Sequence, residues 1–488
     1  MAVVSMVEAL RRWARNVPDQ PALTIEDETL TFRELELRSQ RLAHTLLGMG
    51  IAVGDLVCIA LPNSIEFVET TLAVLKVGAT ALPVSNRLPQ AERQAIIELA
   101  DPRLVVGVEP ADHPGRRCVP LVPEPSLSDM ALPLGVRVSP GWRATTSGGS
   151  TGRPKLIRGT VPATIDGAAA PEYMLPKRKV VLVPGPLYHT APYTDTILGL
   201  VHGNHVVLER RFDPAYTLEL IAKFRPTYLL LVPTMMHRII RLPDEVRDVD
   251  MSSLQVVFHM AAPCAPWLKE AWIDWLGADR VYELYGASDS PGYTIITGTE
   301  WLEHRGSVGR PQPGLVVITD DDGQPVAPSV VGEIWTRPAP GQLMRAAIVG
   351  SDARHRDGWT SVGDLGWMDD DGYLYISDRR TDMVLSGGEN IYTAEVEAAL
   401  GSHPSVRSSV VIGLPDADLG RRVHAIVEVD PGLTEDDLRA HIEGHLARYK
   451  TPRSYELVDH PLRDDAGKVR KSALIAARLT DSSTEVMR

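Results

Sequence analysis

Apolar runs of strand length alternate with amphipathic runs of helix length up to about residue 300, and this alternation restricts the fold more than any other feature of the chain. Asp55 to Pro62 (DLVCIALP) reads as a buried strand, followed by Asn63 as an N-cap candidate. The helix from Ser64 to Val77 carries Phe67, Leu72, Leu75 and Val77 at helical spacing. Gly78 ends it, ATALPVS forms the next strand, and Leu104-Val105-Val106-Gly107 follows. Further strands are expected at Val180–Val183, 206–208, Tyr228–Val232, Leu254–His259 and Val281–Tyr285. Helices are expected at Pro214–Phe224 and Pro266–Leu276. Before all these, a first helix leads to a strand pair, Ala22–Ile25 and Leu30–Phe32, and a helix beginning near Arg33. A helix between successive strands makes those strands parallel, which is the α/β class. Several strands run into loops rich in Gly, Pro and hydroxyl residues, and ligands of open α/β sheets sit at such carboxyl ends.

The chain has 488 residues, too many for one ordinary core, so two or three domains are expected. From about residue 305 the pattern changes to short strands separated by turn signals such as DDDG and RDGW. That suits a small antiparallel sheet or barrel. A second change falls at Ser377-Asp378-Arg379-Arg380. The remainder reads as a compact α+β domain, with strands near 408–413 and 423–429 and helices near 393–400 and 434–447. The boundary is therefore set between 1–378 and 379–488. The larger part comprises two α/β subdomains and a β-barrel-like subdomain.

Lysine and arginine total 50 against 63 acidic residues, a net charge of −13, which argues against non-specific nucleic-acid binding. No stretch approaches the length of a membrane span. The first twenty residues read as an amphipathic helix, not as a signal peptide. The three cysteines, Cys58, Cys118 and Cys264, lack metal-ligand spacing and fit reduced thiols in a cytoplasm.

One stretch stands apart. Thr145 to Lys155 reads TTSGGSTGRPK. Gly148, Gly149 and Gly152 can take up backbone conformations closed to other residues, so that main-chain N–H groups converge on an anion. Ser147, Ser150 and Thr151 can add hydroxyl hydrogen bonds, Lys155 adds positive charge, and Pro154 stiffens the exit. The pattern GxxxxGK[ST] of the NTPase P-loop does not fit. Alone, the stretch suits either an outer-phosphate loop of a nucleotide site or a flexible linker.

Other segments join it in one pattern. TTSGGSTGRPK, YELYGASD (282–289), SVGDLG (361–366), SDRRTDMVLSGGENIY (377–392) and DDAGKVRK (464–471) together resemble the motifs of the adenylate-forming enzymes, in that family's order. LTFREL (30–35) and LKVGATALPV (75–84) resemble its early motifs, so the resemblance covers nearly the whole chain. Within the family, GPLYHTAP, SVGDLG and SDRRTDMVLSGGEN look most like bile-acid–CoA ligases and similar acid–CoA ligases.

The resemblance implies an ATP-dependent ligase with a mobile C-terminal lid, using ATP, Mg²⁺ and CoA. A carboxylate attacks the α-phosphorus of ATP, pyrophosphate leaves, and CoA then displaces AMP. Two anions must meet, so charge neutralisation and positioning dominate. Carried over residue by residue, the nucleotide would meet Ser147, Gly148, Gly149, Ser150, Thr151, Gly152, Lys155, Ala262, Glu283, Tyr285, Gly286, Ser288, Asp364 and Arg379. Tyr285 would stack on adenine, and Asp364 would accept from the ribose hydroxyls. Lys468 would bridge carboxylate and α-phosphate, and His189 would border the acyl pocket and gate it. The pocket walls would be His189, Met235, Met236, His259, Met260 and Ala287. Ser386, Gly387 and Gly388 would leave room for the pantetheine arm of CoA, and Thr381 would be the hinge.

Three positions depart from the family pattern. Asp289 stands where a magnesium-binding glutamate is usual, with a reach shorter by one methylene. Gly148 replaces a common serine, and Thr381 a common Asp or Lys. The acyl acceptor stays open between CoA, a carrier protein and an amine, and an unusual oxyacid substrate stays open too. A catalytically inactive nucleotide-binding regulator is a further alternative, against which the retention of Lys468, Asp364 and Arg379 speaks. A cytoplasmic protein, and a homodimer among its assemblies, fit this reading.

Overall fold

The computed structural model describes residues 3–123, 134–148, 154–166, 174–286, 292–339, 346–349, 354–464 and 467–485. The chain forms two compact units, one of residues 1–231, 244–257 and 343–352, the other of 232–243, 258–342 and 353–488. The second unit therefore runs across the composition change near residue 378.

The first unit contains two parallel sheets. In one, Leu56–Ile59 lies between Thr80–Pro83 and Leu104–Val106, and Cys118–Val119 adds an edge, all parallel. Every residue of its three longer strands is buried, the expected consequence of helices on the faces of a parallel sheet. The helix Ile65–Lys76 starts where Ser64 accepts from the Phe67 amide, so Ser64 and not Asn63 is its N-cap. In the other sheet the order is Tyr228–Leu231, Val180–Val183, His205–Leu208, Pro21–Ile25, again parallel. Glu28–Thr31 closes its edge as an antiparallel hairpin with Pro21–Ile25. Thr31 and Glu34 form a capping box that starts the helix Phe32–Gly48.

A third, smaller sheet carries the glycine-rich stretch. Ala144–Gly148 pairs antiparallel with Pro154–Gly159, with Ser147 opposite Lys155 and Gly148 opposite Pro154. The strand begins two residues before the expected Leu156.

In the second unit, Val281–Gly286 pairs antiparallel with Tyr293–Thr297. The region of short strands is a six-stranded antiparallel sheet. Its order is Ser307–Gly309, Leu374–Arg379, Trp359–Met368, Gly332–Thr336 and Val316–Thr319, with His355–Arg356 added beside Trp359–Met368. Residues 393–485 form an α+β body around a sheet of Val406–Asp416, Gly420–Val429 and Ser454–Val458. Alternation along the strands serves both faces. Val410, Ile412, Leu414 and Ile426 form one apolar cluster. Val411, Val423, Ala425 and Val427 join the other, with Val396, Leu438 and Ile442 from the helices. The helix expected over 434–447 spans only Glu435–Glu443, stopping before Gly444. The strand Ser454–Val458 and the helix Lys471–Glu485 were not foreseen. Among the described residues, no helix is long and apolar enough to cross a membrane.

Candidate active site

In the first unit the loop ahead of His189 is held from below by one buried side chain. Asn63 donates to the carbonyls of Gly185 (3.1 Å) and Glu209 (2.8 Å) and accepts from the Leu187 amide (2.8 Å). Three hydrogen bonds on one amide thus tie the ends of two strands together, which is why Asn63 is buried and not capping. His189 occupies the N-cap of the helix Thr190–Val201, half-buried, its ring 4.5 Å from that of Tyr188. Asp195, six residues on, lies in the body of this helix and is 2% exposed. Burial pushes its carboxyl up to about 7, with the Tyr228 hydroxyl and the Arg143 charge pulling the other way.

Of the phosphate-loop candidates, the backbone of Ser147 and Gly148 ends one strand of the antiparallel pair, and Lys155 is half-buried on the other. Gly149, Ser150, Thr151 and Gly152 lie outside the described residues. So do Ala287, Ser288 and the metal candidate Asp289. Among the described residues, no group of three or more His, Cys, Asp or Glu side chains could hold a metal ion.

In the second unit four candidates from distant stretches converge. Asp364 and Arg379 face each other directly across two antiparallel strands. The Arg379 Nε lies 3.7 Å from Asp364 Oδ1. From a third strand, Tyr285 donates its hydroxyl to Asp364 Oδ2 at 2.7 Å. Burial and the neighbouring carboxylate both raise the Tyr285 phenol well above its usual range, so it stays a donor. Its side chain is partly buried and packs against the apolar cluster that holds Val308, Ile318, Ile334 and Leu374. Lys468 is close enough to Arg379 for the two charges to interact. The lysine is held in a turn in which its amide donates to Asp464 Oδ1 and its carbonyl accepts from the Asp464 amide. Its side chain is accessible yet crowded. Desolvation lowers its pKa, with Asp464 opposing and Arg379 adding to the fall. An ammonium with a lowered pKa on a flexible stem suits a group that meets a transient anion.

The lysine turn is seated closely. At Gly467, with φ +73°, a Cβ would come within 2.6 Å of Thr234 Oγ1 on the helix Pro233–Ile240. The same helix ends at Arg241, which donates to the carbonyls of Pro404 (2.8 Å) and His403 (3.3 Å). Arg241 also lies 5.4 Å over the Trp267 ring.

Several expected roles look different in place. Glu283, expected at the nucleotide, is buried and accepts from Lys269 Nζ at 2.6 Å. Lys269 is itself fully buried, 5.0 Å over the Trp301 ring. This internal ion pair was missed, because nothing in the sequence marks Lys269 as different from a surface lysine. His259 is 0% exposed, 3.9 Å from Glu283, and neither ring nitrogen has a hydrogen-bond partner among the described residues. Burial lowers its pKa to about 4, keeping it neutral. Met235 and Met236 are 2% and 0% exposed, so they are core residues here and not open walls. Met260 is half-buried, and Ala262 is half-buried behind Ala261, whose φ is +75°. Gly286 is exposed. Ser386 is buried, while Gly387 and Gly388, both at positive φ, are exposed. Thr381 is exposed and follows the end of the strand Leu374–Arg379.

The pattern of AMP-binding enzymes matches residues 10–136 and 144–346, and that of the AMP-binding enzyme C-terminal domain matches 395–468. A feruloyl-CoA synthase of an Amycolatopsis species is 32% identical over 489 aligned positions, covering 94% of this chain and 96% of that protein. The 2-succinylbenzoate–CoA ligase of Bacillus licheniformis is 28% identical, covering 95% and 98%. The structure of o-succinylbenzoate CoA synthetase from Bacillus subtilis with its acyl-adenylate superposes with a TM-score of 0.80 at 25% identity, over 97% and 98% of the chains. An amide bond synthetase from Marinactinospora thermotolerans gives 0.78 at 28%, over 97% and 99%. With both parts matched and relatives aligned almost end to end, the chain belongs to the AMP-binding enzyme family.

Proposed function

We propose that the chain is an ATP-dependent acid–CoA ligase that activates a bulky, largely apolar carboxylic acid as an acyl-adenylate and passes it to CoA, releasing AMP and pyrophosphate. The observation that carries this reading is the convergence of Tyr285, Asp364, Arg379 and Lys468. A carboxylate for ribose hydroxyls, a partly buried aromatic ring and two cations are what a nucleotide losing pyrophosphate requires. ATP and Mg²⁺ would be held by these groups together with Asp289, and residues 379–488 would act as a lid turning at Thr381. Ser386, Gly387 and Gly388 leave space for the pantetheine arm.

For the acid, aryl acids lead the candidates, since the relatives named above are a feruloyl-CoA synthase and 2-succinylbenzoate ligases. Of the expected wall residues, Met235 and Met236 are buried and line no open pocket. A free α-amino acid is disfavoured, because a buried ammonium needs a partner. Asp195, the one carboxylate near His189 in sequence, is turned into the interior.

The test is pyrophosphate and AMP release from ATP and Mg²⁺ with acetate, phenylalanine, a medium-chain fatty acid, ferulate and a steroid acid, with and without CoA. Activity on the bulky acids, with AMP release dependent on CoA, is expected; preference for acetate or phenylalanine refutes the reading of the pocket. An amine acceptor is the second reading, favoured by the likeness to an amide bond synthetase over nearly the whole chain. AMP release driven by amines and indifferent to CoA would establish it. The cytoplasm is the compartment proposed, and homodimerisation remains for sedimentation to decide.

A further inference from the structure

The turn that carries Lys468 is pinned at its flanks and held at its centre. Leu462 and Val469 pack against the apolar cluster of Val410, Ile412, Leu414 and Ile426. Between them, the peptide group that joins Gly467 to Lys468 is gripped from two sides. Its N–H, that of Lys468, donates to Asp464 Oδ1 at 2.8 Å. Its carbonyl, that of Gly467, accepts from Arg463 Nη1 at 3.1 Å. Glycine has no Cβ to restrict rotation beside this peptide, so hydrogen bonds on the peptide itself do the holding. The plane of the peptide sets the direction in which the Lys468 side chain leaves the backbone. An error there is carried along the whole four-carbon stem to the ammonium.

Arg463 is in turn anchored. Its Nη2 donates to Glu397 Oε2 at 2.7 Å and to the Ser409 carbonyl at 3.0 Å. Both side chains of the Arg463–Glu397 pair are mostly buried. Glu397 Oε1 accepts from the Val411 amide at 3.0 Å and meets Lys471 Nζ at 2.9 Å. One carboxylate on the helix Thr393–Gly401 therefore grips residues on both sides of Lys468. The forked guanidinium reaches a carboxylate and two carbonyls at once, a geometry that a lysine ammonium does not reproduce.

We propose that Arg463 is a positioning residue for Lys468: held by Glu397, it fixes the Gly467 carbonyl and so aims the ammonium at the reacting groups of the adenylation step. This role rests on the reading of Lys468 as the lysine that bridges carboxylate and α-phosphate. Arg463 acts through the backbone and not on the substrate.

The experiment compares two rates in the full-length enzyme with one accepted acid: pyrophosphate release from ATP and Mg²⁺, and thioester formation from supplied acyl-adenylate and CoA. The second rate counts the folded enzyme in each preparation. Arg463→Lys keeps a cation beside Glu397, and Arg463→Met keeps only the length of the chain; both lose the fork. In both, pyrophosphate release should slow roughly 10- to 100-fold, the scale of a misplacement of about 1 Å, while thioester formation stays within about twofold of wild type. In a Lys468→Ala background, either change should slow release by about twofold or less, because the aim of an absent ammonium no longer matters. Equal slowing of both reactions, or a full further loss on top of Lys468→Ala, overturns the proposal and leaves Arg463 a structural residue. If Lys468→Ala slows pyrophosphate release and neither Arg463 variant does, the assignment of Lys468 stands and the positioning role alone is refuted. If Lys468→Ala leaves release unchanged, that assignment falls and the positioning role falls with it.

Discussion

The carboxyl of Asp195 should make the first unit less stable as pH rises, and Asp195→Asn should remove that dependence. The group is 2% exposed and has been pushed from 3.8 to about 7 by burial. A folded-state pKa above the unfolded value means that the native state holds a proton the unfolded state has released. The associated stability is fully present below about pH 3.8 and is lost progressively as pH rises through 7. At pH 8 the difference of about 3 units corresponds to a cost of about 4 kcal/mol, at 1.36 kcal/mol per unit. At pH 5 only about one unit of the difference applies, a cost of about 2 kcal/mol. Asn keeps the shape and can still accept from Tyr228, so Asp195→Asn should stabilise by roughly 2 kcal/mol more at pH 8 than at pH 5. In a domain of about 250 residues that is a difference of roughly 4 °C in Tm or more. Scanning calorimetry at the two pH values gives the numbers, and hydrogen exchange of the helix Thr190–Val201 localises them. The competing possibility is a native ion pair with Arg143, whose charge favours the ionised form. Destabilisation by Asp195→Asn, equal at both pH values or greater at pH 8, would establish that pair and refute the reasoning.

Three further outcomes are expected. Lys269→Met leaves Glu283 buried without its cation and should cost about 3–5 kcal/mol, while Lys269→Met with Glu283→Gln should recover most of it; a single variant melting within 1 °C of wild type would contradict the buried pair. Lys468→Ala should slow pyrophosphate release about 10²–10³-fold and spare thioester formation from supplied acyl-adenylate, and unchanged pyrophosphate release would remove the lysine from adenylation. Arg241→Ala removes two hydrogen bonds to residues 403 and 404, so it should raise exchange at the amides of 405–407 and slow adenylation more than thioester formation; unaltered exchange there would show that the contact does not hold the C-terminal region.

Local patterns were legible where a residue type has one physical meaning. The helix Pro214–Phe224 was placed to the residue, because Asp213 caps it and Pro sits at its first position. The parallel strands were legible because burial on both faces demands unbroken apolar runs. Ser454–Val458 was not, since its five residues are mostly half-exposed and it is held by pairing with 424–428, distant in sequence. Asn63 was misread for the same reason: a cap and a cross-strand tie look identical until residues 185 and 209 are brought beside it. The site followed this rule. Family motifs supplied Asp364, Arg379 and Lys468, but not the hydroxyl joining Tyr285 to Asp364 across 79 positions, nor the lysine that occupies Glu283.

Asp378, the last residue but one of the strand Leu374–Arg379, carries a carboxylate that already has several donors. It accepts from the Arg379 amide at 2.8 Å, and from the Thr393 amide and hydroxyl, the latter at 3.0 Å. Lys471 in turn donates to the Thr393 hydroxyl at 2.7 Å. Residues 378 and 393 are therefore joined, and the segment between them, with Thr381 inside it, is a closed ring. A lid turning at Thr381 through any large angle has to open that ring first. Hydrogen bonds to a charged group are worth about 1.5–3 kcal/mol each, and each one broken slows release about tenfold or more. The tempo of the two-step reaction would then be governed by how long Asp378 keeps its grip on Thr393, and an Asp378→Asn enzyme would run on a faster clock with the same chemistry.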